Sequence, residues 1–124
     1  HSASAKERLT NQMQISAHRI ASPEMRMLVR YMITGGPAQH GELVKFYYEN
    51  VIRPAVTLIG QTLRDGVESG EFREEVADID PLVLVGAQIY TTVWKLLFED
   101  ISPIEIDSLV NDLMEVLLRG LLKN

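Results

Sequence analysis

Two consecutive stretches near the end of the chain are apolar around far more of their circumference than an ordinary surface helix. In residues 80–99, advancing about 100° per residue, Leu82, Gly86, Ile89, Val93, Leu96 and Leu97 form one stripe. Val83, Ala87, Tyr90, Trp94 and Phe98 form a second stripe beside it. Only Gln88, Thr91, Thr92, Lys95 and Glu99 make a polar strip, with Leu84 and Val85 next to it. A helix with a single partner needs an apolar arc of about 100°, and this one has roughly double. The next segment opens with Ser102-Pro103-Ile104-Glu105, a capping-box pattern with proline at the first helical position. It continues with Ile106, Leu109, Val110, Leu113, Met114, Val116, Leu117 and Leu121, again more than one narrow stripe.

Leaving both segments wet would expose a patch of the size found at interfaces. The closure expected is a two-fold homodimer whose last two helices form an intersubunit four-helix bundle. The residues expected at that interface are Leu82, Gly86, Ile89, Val93, Leu97, Ile106, Leu109, Val110, Leu113 and Leu117. Gly86 permits close approach of a partner, which points its stripe outward. The competing reading keeps both helices internal to a monomer.

The rest of the chain is also helical in pattern, and no segment has strand periodicity. Leu9, Met13, Ala17 and Ile20 stack within residues 4–20. Ser22-Pro23-Glu24 then caps and opens a second helix, which is expected to stop at Gly35-Gly36-Pro37. A third runs from about Gly41 to Ser69, with a kink expected at Pro54. Gly70 stands where a left-handed cap belongs, and Asp80-Pro81 restarts the chain as a helix. The expected architecture is all-α, a single domain of about five helices over residues 1–124, with 1–3 read as a tag remnant or a disordered start.

Composition narrows the function classes. The chain of 124 residues contains no cysteine, which excludes disulfides and thiolate metal sites. A net charge of −5 argues against nucleic-acid binding by the chain itself. Lys6, Arg8, Arg19, Arg26 and Arg30 dominate the first third, whereas residues 71–112 are strongly acidic. There is no membrane-length apolar run and no signal peptide, so a cytoplasmic location is expected. His1, His18 and His40 form no ligand spacing, and the acidic turn around Glu74, Glu75, Asp78 and Asp80 lacks the spacing of a cation loop. Neither a phosphate loop nor a nucleophile elbow is present. No enzyme activity, metal or cofactor is expected.

A pocket for a mostly hydrophobic small molecule needs apolar and aromatic walls with a few polar tips. The candidates are Met13, Ala17, Met27, Tyr31, Tyr47, Tyr48, Val51, Tyr90 and Trp94, with His18 and Gln61 as polar contacts.

One further pattern joins these pieces. Arg53-Pro54 lies within a helix, and Asp65-Gly66-Val67-Glu68-Ser69-Gly70-Glu71-Phe72 follows it. Asp78-Ile79-Asp80-Pro81 then precedes the apolar helix containing Gly86, and Ser102-Pro103 precedes a leucine-rich last helix. From about Ser22 to Leu122 the chain resembles the C-terminal regulatory domain of TetR-family transcriptional regulators of bacteria. The resemblance implies an all-helical domain that dimerises through its last two helices and encloses an effector pocket. Effector binding there would be relayed to a helix-turn-helix DNA-binding domain. That domain is missing from this sequence, so DNA contact is expected only through it. The alternative is a stand-alone helical dimerisation module acting as a protein-interaction adaptor, with a helical enzyme third. A closed cavity among the first three helices would favour the sensor, and a solid core with an exposed groove the adaptor.

Overall fold

A computed structural model describes residues 3–123, apart from the side chains at 36 and 37; His1 and Ser2 of the expected tag remnant lie outside the described residues. The fold is all-α. Five helices follow in order: α1 (Ala5–Ile20), α2 (Pro23–Tyr47), α3 (Arg53–Glu68), α4 (Leu82–Leu97) and α5 (Ile106–Leu121). A π turn (Tyr48–Ile52) joins α2 to α3, and a 3-10 turn (Glu74–Asp78) lies between α3 and α4.

Helix α1 is the hub. Ser4 and Glu7 cap it reciprocally, each side chain reaching the other's backbone N–H. Its apolar stripe of Leu9, Met13, Ala17 and Ile20 is almost wholly removed from solvent. Around it pack Ile59 and Leu63 of α3, Leu84 and Val85 of α4, and Val110, Met114 and Leu121 of α5. Helices α4 and α5 each pack on α1 and touch one another little.

Several local signals act as their chemistry dictates. Ser22 accepts the Met25 N–H at 3.3 Å, with Pro23 at the first turn of α2. Asp80 accepts the Leu82 N–H at 2.9 Å and so caps α4. Gly70 has φ +79°, and its N–H reaches the Val67 carbonyl at 3.0 Å to close α3. The reversed chain sends Phe72 back over the helix end, where its N–H meets the Gly66 carbonyl at 2.9 Å. Its neighbours clamp the end of α5: Arg73 N–H donates to the Leu121 carbonyl, and Lys123 N–H to that of Glu71.

Three expectations are corrected. Helix α2 does not stop at Gly35-Gly36-Pro37 but runs through it to Tyr47. Glycine permits a break without forcing one, and none of the three has positive φ. Breaking there would strip intrahelical partners from backbone groups on both sides, with no side-chain cap to replace them. Secondly, no separate helix starts near Gly41: helical backbone continues from α2, and the distortion expected at Pro54 takes the form of a π turn. Pro54 has no N–H, and its ring would clash with the carbonyl of Asn50. The preceding turn widens to π geometry, in which Arg53 N–H bonds back to the Tyr48 carbonyl. Thirdly, α5 begins at Ile106, not within the Ser102 capping box. Glu105 is itself the cap, its carboxylate accepting the N–H groups of Asp107 and Ser108, both at 3.0 Å.

Candidate functional site

The orientation of α4 is the main structural surprise. The strip read as its polar side faces the core: Gln88 and Thr92 are 1% and 0% exposed, and Thr91 is buried too. Gln88 Nε2 donates to the Met13 carbonyl at 2.9 Å, and its Oε1 accepts from Ser16 Oγ at 2.7 Å. Thr92 Oγ1 donates to the Ile20 carbonyl at 2.9 Å, one of the groups left without a partner at the end of α1. Gln88 and Thr92 therefore have specific mates on α1, and Thr91 Oγ1 donates to the Ala87 carbonyl of its own helix at 3.3 Å, which makes their burial tolerable. The apolar stripes consequently point outward. Leu82, Val83, Tyr90 and Leu97 are exposed on α4, as are Leu109 and Val116 on α5.

Of the expected interface set, Leu82, Leu97 and Leu109 are exposed, and Gly86, Ile89, Val93, Ile106, Leu113 and Leu117 are half-buried. A Cβ added at Gly86 would meet nothing within 4 Å. Val110 is corrected: it is 3% exposed and belongs to the core around α1.

Two concave places matter. One is a groove between α4 and α5 of about 450 Å³, walled by Ala87, Tyr90, Thr91, Leu109, Leu113 and Val116. It continues past Trp94 and Ile104. Tyr90 and Trp94 are neighbours on it, ring centroids 6.1 Å apart, and Trp94 Nε1 donates to the Ser102 carbonyl at 2.8 Å. The other is an open cleft of about 200 Å³ where α1 meets the π turn and α3. Its walls are Ile15, Ile20, Val51, Pro54, Ala55, Leu58 and Ile59, with Gln12, Ser16 and Arg19 as polar members.

The residues expected to line a pocket are not brought to one place. Met13 and Ala17 are solid core, each 0% exposed, because α1 is central rather than peripheral. His18 lies on the surface with Nε2 2.6 Å from Asp107 Oδ1, linking α1 to α5. Met27 is exposed on a shallow basic groove with Arg26, Arg30 and Lys95. Tyr31 is exposed and edge-on to His40, and Tyr48 is exposed under the Arg53 guanidinium. Tyr47 is buried and its hydroxyl finds no partner; burial pushes its pKa up. Gln61 is exposed and donates to Asp65. Only Val51 lines the α1–α3 cleft, and only Tyr90 and Trp94 share the α4–α5 groove. The missed cleft residues Gln12, Ile15, Ser16 and Arg19 do carry a signal, the i, i+3, i+4, i+7 spacing of one helical face. That face flanks the stronger core stripe of α1, which drew attention away from it.

Among the described residues no three His, Asp or Glu side chains are grouped to hold a metal. No described helix is long and apolar enough to cross a membrane. The acidic groups instead serve local structure. Asp65 is held below its ordinary range by hydrogen bonds from Gln61 and Arg8, and Glu75 by its own backbone N–H and by Arg73. Glu99 is lowered by Lys95 and the Ile104 N–H. Glu105 is lowered by the Ser108 hydroxyl and by the N–H groups that it caps. All four shifts are downward, so the stability they confer is present above the ordinary carboxylate pKa and is lost as pH falls through the folded values. The urea midpoint is therefore expected to drop between about pH 5 and about pH 3. A midpoint that is flat or rising across that interval would contradict these bonds.

Comparisons with protein-family models, with curated proteins and with solved structures find no match to this chain.

Proposed function

We propose that this chain is the effector-binding and dimerisation domain of a TetR-like transcriptional regulator, cytoplasmic and bacterial. It takes up a mostly hydrophobic small molecule and relays the event to a DNA-binding domain outside this sequence. The observation that carries this reading is the inverted α4, which hydrogen-bonds its polar side to α1 and leaves its apolar side in water. Exposing Leu82, Val83, Tyr90 and Leu97 while burying Gln88 and Thr92 makes energetic sense when a second surface covers the exposed stripe. Two 16-residue helices, each about 24 Å long, offer the length for a two-fold bundle with a second copy. Effector entry would favour one spacing of the paired subunits over another, a population shift carried by the dimer.

Gly86 supplies the test. In an isolated protomer Gly86→Ala adds a methyl in open space and should raise helix stability by about 1 kcal/mol. With a partner helix seated there the sign reverses, and Gly86→Ala weakens the dimer. Gly86→Arg should give a monomer in sedimentation equilibrium at concentrations where the unaltered chain is dimeric. A wild-type chain that is monomeric at every concentration would sink the reading. So would a Gly86→Arg variant with unchanged dimer affinity.

A second reading meets the cavity criterion better: the core around α1 is solid, and both the α1–α3 cleft and the apolar α4–α5 groove are open rather than enclosed. It is the adaptor, in which a helix of another protein fills that groove. A monomer in sedimentation would leave the exposed faces to this role.

A further inference from the structure

The α1–α3 seam is zipped along one half and open along the other. From the N-terminus of α1, Lys6 N–H meets Glu71 Oε2 at 2.7 Å and Arg8 pairs with Asp65 at 2.9 Å. Thr62 Oγ1 then donates to Gln12 Oε1 at 2.7 Å. These rungs run in opposite senses along the two helices, so the helices are antiparallel. Beyond Gln12 the rungs cease and the cleft begins. By the same register Ile15 and Ser16 face the level of Leu58 and Ile59, and Arg19 the level of Val51 and Ala55.

Three features mark the open half. Ile15 is 66% exposed and Leu58 53% exposed, two large apolar side chains flanking an apolar hollow. The guanidinium of Arg19, an exposed residue, has no hydrogen-bond or ion-pair partner among the described residues, unlike Arg8 about three turns earlier. The wall between them contains the π turn forced by Pro54, and π turns recur at functional sites. An apolar trough with one unpaired guanidinium at its end matches an amphiphile with an anionic head. A carboxylate offers two oxygens to the guanidinium fork.

We propose that this cleft binds a small amphipathic carboxylate, its head on Arg19 and its tail between Ile15 and Leu58. The proposal rests on the sensor reading above and names the ligand class for it. The cleft is small, about 200 Å³, and open to solvent on one side, which suits a short amphiphile.

The probes are sodium octanoate and, as a neutral counterpart of similar length, 1-octanol, titrated calorimetrically against the full chain. Octanoate is expected to bind more tightly than octanol. Arg19→Gln should weaken octanoate by about tenfold or more and leave octanol unchanged. Leu58→Glu, at a position already in solvent, should remove both. Arg30→Gln, outside the cleft, should alter neither. The proposal is overturned if octanoate fails to bind, if octanol equals it, or if Arg19→Gln leaves octanoate affinity intact. Sedimentation separates this from the wider reading. A monomer that holds octanoate through Arg19 keeps the site and loses the regulator; a dimer indifferent to octanoate does the reverse.

Discussion

Gly66→Ala is expected to unfold much of this domain, although it adds a single methyl group. A Cβ at Gly66 would fall against Cδ2 of Phe72 and lie 2.6 Å from its Cε2 and 2.8 Å from its Cγ, inside any tolerable contact. The ring cannot step aside, because Phe72 is 1% exposed and its backbone is tied to the Gly66 carbonyl. Either α3 moves away from the returning chain or the ring leaves the core. Expelling a buried phenylalanine costs about 3–5 kcal/mol, a large part of the 5–15 kcal/mol available to a domain of this kind. The loss should extend to α5, because the segment that carries Phe72 also clamps Leu121 and Lys123. Urea unfolding followed by circular dichroism measures it. A Gly66→Ala variant within about 1 kcal/mol of the parent would show that Phe72 does not occupy this position.

The second large effect is expected at the buried side of α4. Gln88→Glu keeps the shape but replaces the amide that donates to the Met13 carbonyl with an oxygen. At neutral pH this buries a charge against a carbonyl with only the Ser16 hydroxyl to help it. The cost is about 3–5 kcal/mol. The sign of its pH dependence is opposite to that of the native acids. Burial raises the folded pKa of this glutamate, so the penalty is absent below its unfolded value of about 4.3 and grows as pH rises toward the folded one. When protonated, the acid can again donate to Met13. The stability gap between Gln88→Glu and the parent should therefore close as pH falls from about 8 to about 4.5. A pH-independent gap, or none at pH 7, would mean that Gln88 faces solvent and that α4 is turned the other way. In that case its apolar stripes would be internal, and no covering subunit would be needed.

These two substitutions probe different kinds of information. Gly66 lies beside a turn whose chemistry is local. Gly70 takes positive φ because it lacks a Cβ, Asp80 finds the Leu82 N–H two residues away, and Ser22 finds Met25 three residues away. Interactions closed over a few residues can be read along the chain, and with them the helical periodicity of nearly every segment. The candidate site was far less legible. Tyr31 and Tyr48 looked like pocket walls because they are aromatic, yet aromatic character does not say where a helix face will point. Arg19 reads along the chain only as one of several basic residues, because its place in the cleft depends on Val51 and Leu58, more than thirty residues away, and on the absence of a rung opposite it among the described residues.

The amino-acid order alone determined that the chain is helical, where most helices are capped, and that its last two helices carry more apolar surface than one partner can cover. Tertiary structure alone decided which side of α4 turns inward. Side-chain hydrophobicity would have buried Leu82 and Val83, but α1 presents the end carbonyl of Ile20 and the Ser16 hydroxyl, which need polar mates, and the Met13 carbonyl, already bonded within the helix, accepts Gln88 on its second lone pair. Leaving such groups unpaired in the core costs as much as several exposed methyl groups. The polar strip therefore went in and the apolar stripes stayed out.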